Sequence, residues 1–151
     1  MQKLSEVENA KALMTEAMTW SVMKWLREKK RVRQAADQAN AALDQFNQSV
    51  KDRWTDGVRT AYDALVAKET GSHARAQQKS SPDPEATLLA RKVKEADEAA
   101  HSARMDAEKT FDDAERQLST SLAREGCRKA IESWELHEKA IRKAESLIHK
   151  D

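Results

Sequence analysis

"GSHARAQQKSSPDP" (71–84) decides the fold, because it separates two long stretches that contain no proline. It is rich in Ser, Gln, Gly and Pro, which is typical of loops. Asp83 followed by Pro84 suits the start of a new helix, as a capping residue and a first-turn proline. The pattern predicts a first helix over about 5–69, a loop over 70–84 and a second helix over about 84–149.

Apolar and small side chains recur mostly at steps of three and four residues on both sides of this loop. This spacing places them on one face of an α-helix. The first seam contains Val7, Met14, Met18, Val22, Trp25, Val32, Ala36, Ala39, Leu43, Phe46 and Val50. The second contains Leu89, Val93, Ala96, Ala100, Ala103, Ala107, Phe111, Ala114, Leu118 and Leu122.

The composition agrees with long helices in a single domain. Of the 151 residues, 35% are charged and 5% are aromatic, with 3 Gly and 2 Pro. Few helix breakers among many Ala, Glu, Lys and Arg residues favour helices over a compact mixed fold. The net charge of +1 indicates no partner. One cysteine and an N-terminus without a secretory signal predict a cytoplasmic protein.

We therefore expect an all-α protein that forms one domain over 1–151. Two helices of about 100 Å would fold back as an antiparallel coiled-coil hairpin. Because a two-helix hairpin buries little surface per residue, we expect dimerisation to complete its core. A shorter three- or four-helix bundle is the competing fold, if Gly57 or Gly126 breaks a long helix.

No catalytic, metal or cofactor motif is complete. Glu98 and His101 have the spacing of a di-iron helix pair, but the second such pair is missing. His137 and Glu138 begin a zinc motif whose second histidine position holds Ile141. We expect His137 to be a packed core histidine, and the protein to be no enzyme and to bind no cofactor or metal.

The candidate site begins with "WSVMKWLREKKRVR" (20–33). In the predicted hairpin, residues whose numbers sum to about 154 lie opposite each other, so Trp134 would face Trp20. Two basic clusters then combine into a band for an anionic surface: Lys24, Arg27, Lys29, Lys30, Arg31, Arg33, Arg124, Arg128 and Lys129. The aromatic residues of this region, for a partner or the core, are Trp20, Trp25 and Trp134. Alternatively, the basic residues are a solvated helix face that pairs with the acidic segment 95–115 of another chain.

Two stretches of the second half carry a resemblance to a known family. "PEATLLARKVKEADEAAHSARMDAEKTFDDAERQL" (84–118) and "AIESWELHEKAIRKAESL" (130–147) resemble the last two helices of BAR domains of the sorting-nexin kind. "MTWSVMKWLREKKRVRQA" (18–35) is similar to the aromatic and basic stretch of the preceding helix. The resemblance implies an antiparallel helical dimer whose basic face holds a curved anionic membrane.

These observations lead to two functional hypotheses. The first is a dimeric, non-enzymatic helical scaffold that contacts an anionic surface, a membrane above all, and is peripheral on it. The alternative is a coiled-coil adaptor with a helical protein partner and no lipid binding, similar in architecture to the stalk proteins of flagellar and type III export machines. Nucleic acid is not favoured as a partner, because no recognisable reading module is present.

Overall fold

The computed structural model describes residues 4–70 and 84–148, which form five α-helices and no strand. The helices are α1 (Ser5–Ala17), α2 (Val22–Asp52), α3 (Asp56–Thr70), α4 (Pro84–Gln117) and α5 (Thr120–Glu145). The prediction of an all-α protein is confirmed. Most of the predicted loop, residues 71–83, lies outside the described residues.

The prediction of only two long helices needs correction, because both are interrupted. The helix expected over 5–69 is divided at 18–21 and at 53–55, and the helix expected over 84–149 is divided at 118–119. Serine caps begin two of the new helices. Ser21 Oγ accepts a hydrogen bond from the Lys24 amide, and Ser119 Oγ accepts one from the Leu122 amide, each at 3.2 Å. The first backbone amides of a helix have no partner within the helix, and a capping side chain supplies one. Both caps therefore mark true helix starts.

Of the two breaks that were considered, the one at Gly57 is present, because a new helix begins at Asp56, whereas Gly126 breaks no helix. Gly57 lies in the first turn of α3, and Gly126 lies inside α5. The turn between α4 and α5 instead uses Leu118, whose φ of 51° lies in the left-handed region. This conformation costs a residue with a β-carbon about 1–2 kcal/mol, so glycine would be the usual residue at this turn. The absence of glycine here explains why the interruption was not predicted.

α4 and α5 form an antiparallel hairpin whose facing surfaces consist largely of small side chains. The buried ones include Ala100, Ala107 and Ala114 on α4, and Ala123, Gly126, Cys127 and Ala130 on α5. Small side chains at a helix contact allow a short distance between the two axes. The fit is tight at Gly126, where the ring of Phe111 occupies the space that a β-carbon would need.

α2 lies along both helices of this hairpin. Its contacts with α4 run in opposite chain directions: Trp25 with Phe111, Asp44 with Arg104, and Lys51 with Asp97. The contacts that it and its flanking turns make with α5 run in the same chain direction: Trp20 with Arg124, Asn40 with Trp134, and Trp54 with Ala144. α2 is therefore antiparallel to α4 and parallel to α5.

The predicted pairing of Trp20 with Trp134 is wrong, because each of the two residues has a different partner. The carbonyl of Trp20 accepts a hydrogen bond from Arg124 Nη2 at 3.2 Å, whereas Trp134 Nε1 donates to Asn40 Oδ1 at 2.9 Å. Arg124 precedes Trp134 by about 15 Å along α5. The register differs because the second half of the chain reverses at Leu118, which makes α5 parallel rather than antiparallel to α2.

α1 and α3 complete the bundle. α1 packs on α2 and α5, where Lys11 Nζ donates to Glu138 Oε1 at 2.6 Å, and α3 packs on α4. The largest fully buried side chains come from α1, α2, α4 and α5: Met14, Trp25, Leu43, Phe111, Trp134 and Ile141. One chain thus covers the apolar seams that a two-helix hairpin would have left open.

The substitution Gly126→Ala tests the close contact between α4 and α5. A β-carbon at this position would lie 2.9–3.2 Å from three ring carbons of Phe111. That ring is buried and packs against the ring of Trp25, with a centroid separation of 6.1 Å, so it has little room to move. Overpacking of this kind costs about 1–3 kcal/mol, and alanine in a helix interior returns about 1 kcal/mol. We expect a net loss of up to about 2 kcal/mol in the free energy of unfolding, measured by urea denaturation.

Gly57→Ala is the matched control, because a β-carbon there meets no atom within 4 Å. Alanine in the first turn of α3 should leave stability unchanged or raise it by up to about 1 kcal/mol. If both variants were as stable as the original protein, the close fit of Phe111 over Gly126 would be contradicted.

Candidate functional site

Five of the twelve predicted tryptophan and basic residues lie near one end of the bundle, and the other seven lie further along α2 and α5. The turn between α1 and α2 meets α5 there through the hydrogen bond from Arg124 to Trp20, and α2 meets α4 through the stacked rings of Trp25 and Phe111. The turn between α4 and α5 lies at the same end. We call this region, residues 18–27 and 115–124, the tryptophan end.

The three tryptophans of the predicted site are core residues. Trp20, Trp25 and Trp134 are 4%, 1% and 1% exposed. The indole N–H of Trp134 is bonded to Asn40, while those of Trp20 and Trp25 are buried and have no hydrogen-bond partner among the described residues. The rings therefore build the bundle and are not displayed to a ligand.

Four of the predicted basic residues are held by carboxylates of the same chain. Arg33 donates to Asp112 at 3.0 Å and to Glu115 at 3.1 Å. The others pair along or between helices: Arg31 with Glu28, Arg128 with Glu125 and Glu132, and Lys129 with Asp106. The acidic segment 95–115, which was considered as a partner for another chain, supplies several of these carboxylates. The predicted basic band is therefore partly neutralised.

The remaining basic residues carry the available positive charge. Lys24 Nζ lies 5.2 Å from the centroid of the Trp20 ring, a cation–π contact, and Arg124 bonds a backbone carbonyl rather than a carboxylate. Arg27 and Lys30 are exposed, and Lys29 is half-buried. Within residues 4–70 and 84–148, these three side chains make no ion pair.

Large apolar side chains are exposed at the same end of the bundle. Met23 is 66% exposed and Leu118 is 58% exposed, with Val22 less so. Met23, Arg27 and Lys30 have the spacing of neighbours on one face of α2. An apolar side chain therefore shares that face with two cations that make no ion pair among the described residues. The sequence analysis placed Val22 and Leu118 on buried seams and missed this surface. The sequence signal that could have revealed it was Ser21 and Ser119, because each of these serines caps the start of a helix.

A second feature was not predicted: a polar cleft of about 240 Å³ in the middle of the bundle, lined by residues of α2, α3, α4 and α5. Asp97 is at its centre. This carboxylate accepts hydrogen bonds from Lys51 Nζ at 2.6 Å, from the Tyr62 hydroxyl at 2.9 Å and from Asn47 Nδ2 at 3.2 Å. The cluster ties α2, α3 and α4 together.

Burial shifts the pKa values of two side chains of the cleft and of the one cysteine thiol. Burial and the nearby Asp97 charge raise the pKa of Tyr62, so its hydroxyl remains a donor at neutral pH. Burial lowers the pKa of His137, which favours a neutral imidazole. Burial also raises the pKa of Cys127 to about 12, so the thiolate is scarce. Among the described residues, no group of three or more His, Cys, Asp or Glu side chains is placed to hold a metal ion.

The chain was compared with known proteins in three ways. No protein-family model, no curated protein and no solved structure matches it. Within the part of the chain that the structure describes, no helix is long and apolar enough to cross a membrane.

The substitution Asp97→Ala tests the polar cluster. It would leave the ammonium of Lys51, whose side chain is 16% exposed, without its carboxylate in a partly buried site. Removing one partner of a buried pair costs more than losing the pair entirely. We expect the free energy of unfolding to fall by about 2–4 kcal/mol in chemical denaturation, since the pair is only partly buried.

Asp63→Ala is the control for this substitution, because Asp63 lies exposed on α3. Its effect should remain within about 0.5 kcal/mol. An Asp97→Ala variant as stable as Asp63→Ala would show that the cluster does not tie the helices together.

Proposed function

We propose that this protein is a non-enzymatic helical scaffold that docks on an anionic membrane surface through its tryptophan end and the adjoining turn of α2. The observation that carries the proposal is the exposed face of α2 formed by Met23, Arg27 and Lys30. Two cations without a carboxylate partner in the described part of the chain share this face with an apolar side chain. An anionic bilayer offers both a negative surface and an apolar interior, so it matches both properties.

The charges at the tryptophan end support this choice of partner. The region contains four basic residues and one acidic residue, Glu115, which Arg33 engages. The basic residues are Lys24, Arg27, Arg116 and Arg124. Arg116 is paired with Asp113, which leaves three cations without a carboxylate partner among the described residues. Each basic residue near an anionic membrane contributes about 1 kcal/mol of attraction.

The proposal does not depend on the BAR-like architecture. The tryptophan end depends instead on the chain reversal at 118–119, which interrupts the long helix that periodicity predicted over 84–149. The dimer stays a prediction. Its physical reason, an uncovered apolar seam, does not apply to a bundle in which α1 and α3 cover the core. A curved basic face shared by two subunits is therefore not needed for the proposed docking.

A second candidate function is docking of a helical protein partner, as in the adaptor hypothesis. The observation that favours it is a shallow groove of about 290 Å³ between α4 and α5. Ala96, Ala99 and Leu136 line it together with three lysines and Glu95. It therefore fits an apolar helix with a mainly acidic flank. This groove lies along the side of the hairpin, and a partner there would not need the tryptophan end.

Charge reversal of Arg27 and Lys30 to Glu tests the membrane proposal. We expect the wild-type protein to co-sediment with vesicles that contain phosphatidylserine, and this binding to weaken as salt concentration rises. Loss of two cations removes about 2 kcal/mol of attraction, and the new carboxylates add repulsion. The partition coefficient should fall by roughly thirtyfold or more.

Lys139→Glu with Lys143→Glu is the matched control, since it changes the net charge equally on an exposed part of α5 far from the tryptophan end. This variant should bind vesicles nearly as well as the wild type. Equal loss in both variants would attribute binding to net charge alone. Absence of wild-type binding to anionic vesicles would reject the membrane function and favour the protein partner.

A further inference from the structure

The most exposed apolar side chains of the described α1–α2 and α4–α5 turn regions project from the tryptophan end. Met23 and Leu118 are 66% and 58% exposed, and Val22 adds a third apolar side chain. Isolated exposed apolar residues are ordinary on protein surfaces. Here they lie at or beside two neighbouring chain reversals, and the same end contains four basic residues. That combination calls for a partner that has both a charged and an apolar layer.

The local backbone presents these side chains outward. Met23 lies in the first turn of α2, and its spacing from the buried Trp25 puts it on the opposite, solvent side of the helix. Leu118 has a φ of 51° at the reversal between α4 and α5. A leucine in this left-handed conformation carries a conformational cost that glycine would avoid. The turn therefore keeps a large, mostly exposed apolar side chain at a position where glycine would cost less.

We infer that Met23, Leu118 and Val22 insert between lipid head groups, so that the protein binds loosely packed anionic bilayers in preference to tightly packed ones. This inference rests on the proposed membrane function and specifies its partner. Insertion requires gaps between head groups, whereas purely electrostatic docking requires only surface charge. The affinity for vesicles should then depend on lipid packing even when the fraction of anionic lipid is constant.

The flanking cations fit this mode of binding. The long side chains of Lys24 and Arg27 can lie at the edge of the apolar interior of the bilayer while their charged groups contact lipid phosphates. Apolar insertion and electrostatic attraction are each weak alone, and stable peripheral binding generally combines two such signals. The tryptophan end supplies both within a few residues of sequence.

The test uses the double variant Met23→Gln with Leu118→Asn. Asparagine tolerates the left-handed conformation at position 118, so the turn should be retained. Met105→Gln, at an exposed methionine in α4, is the matched control. Lipid monolayers containing phosphatidylserine report the highest surface pressure at which each protein still inserts. Vesicles of equal anionic content, made with unsaturated or with saturated lipids, report the packing preference.

We expect the wild type and Met105→Gln to insert at higher pressures than the double variant and to prefer unsaturated vesicles. The double variant should lose this preference and bind unsaturated vesicles at least about tenfold more weakly, with its remaining binding still sensitive to salt. If the double variant inserted as well as the wild type, the inferred insertion would be overturned. The proposed docking would still stand if binding remained sensitive to salt and was lost on charge reversal of Arg27 and Lys30. Failure of the wild type to bind any anionic vesicle would overturn both. Thermal unfolding of each variant checks that the bundle is intact.

Discussion

Gly126 lets the ring of Phe111 lie directly over the backbone of α5, and the rest of the bundle depends on this contact. Because the position has no β-carbon, α4 and α5 approach closely along their alanine-rich faces. The ring of Phe111 also stacks on the ring of Trp25 of α2. Three helices are thus fixed at one level, near the end where the chain reverses twice.

Polar contacts then determine which surfaces remain charged. In the middle of the bundle, Asp97 joins Lys51 and Tyr62, and Arg104 pairs with Asp44. Nearer the tryptophan end, Arg33 pairs with Asp112 and Glu115 of α4. These pairs neutralise the flanks of a chain that is almost neutral overall. Among the described residues, Lys24, Arg27 and Arg124 remain without a carboxylate partner near the end where the helices begin and reverse, and exposed apolar side chains lie at the same end.

Periodicity predicted the helical class and most of the buried residues, since the three-and-four spacing reports which face of a helix is apolar. It could not predict where the helices stop. The reversal at Leu118 uses a left-handed leucine and the cap at Ser119, and neither differs in composition from the surrounding helix. Met23 shows the same limitation. Its neighbours Val22 and Trp25 are apolar, and only the cap at Ser21 reveals that α2 begins there. The sequence therefore pointed to the tryptophan and basic segment, but it did not show which side chains of that segment the bundle leaves exposed.

The account's central claim is that the tryptophan end, and no other part of the bundle, enters the lipid interface. A nitroxide label at Met23→Cys, in a Cys127→Ala background, measures this directly through its accessibility to oxygen and to a water-soluble nickel chelate. The matched label at Leu88→Cys occupies an exposed apolar position at the opposite end of α4. On phosphatidylserine vesicles, the label at 23 should gain oxygen accessibility and lose nickel accessibility, while the label at 88 should remain aqueous. An aqueous label at 23 on protein that is bound to vesicles, or equal burial of both labels, would contradict the account.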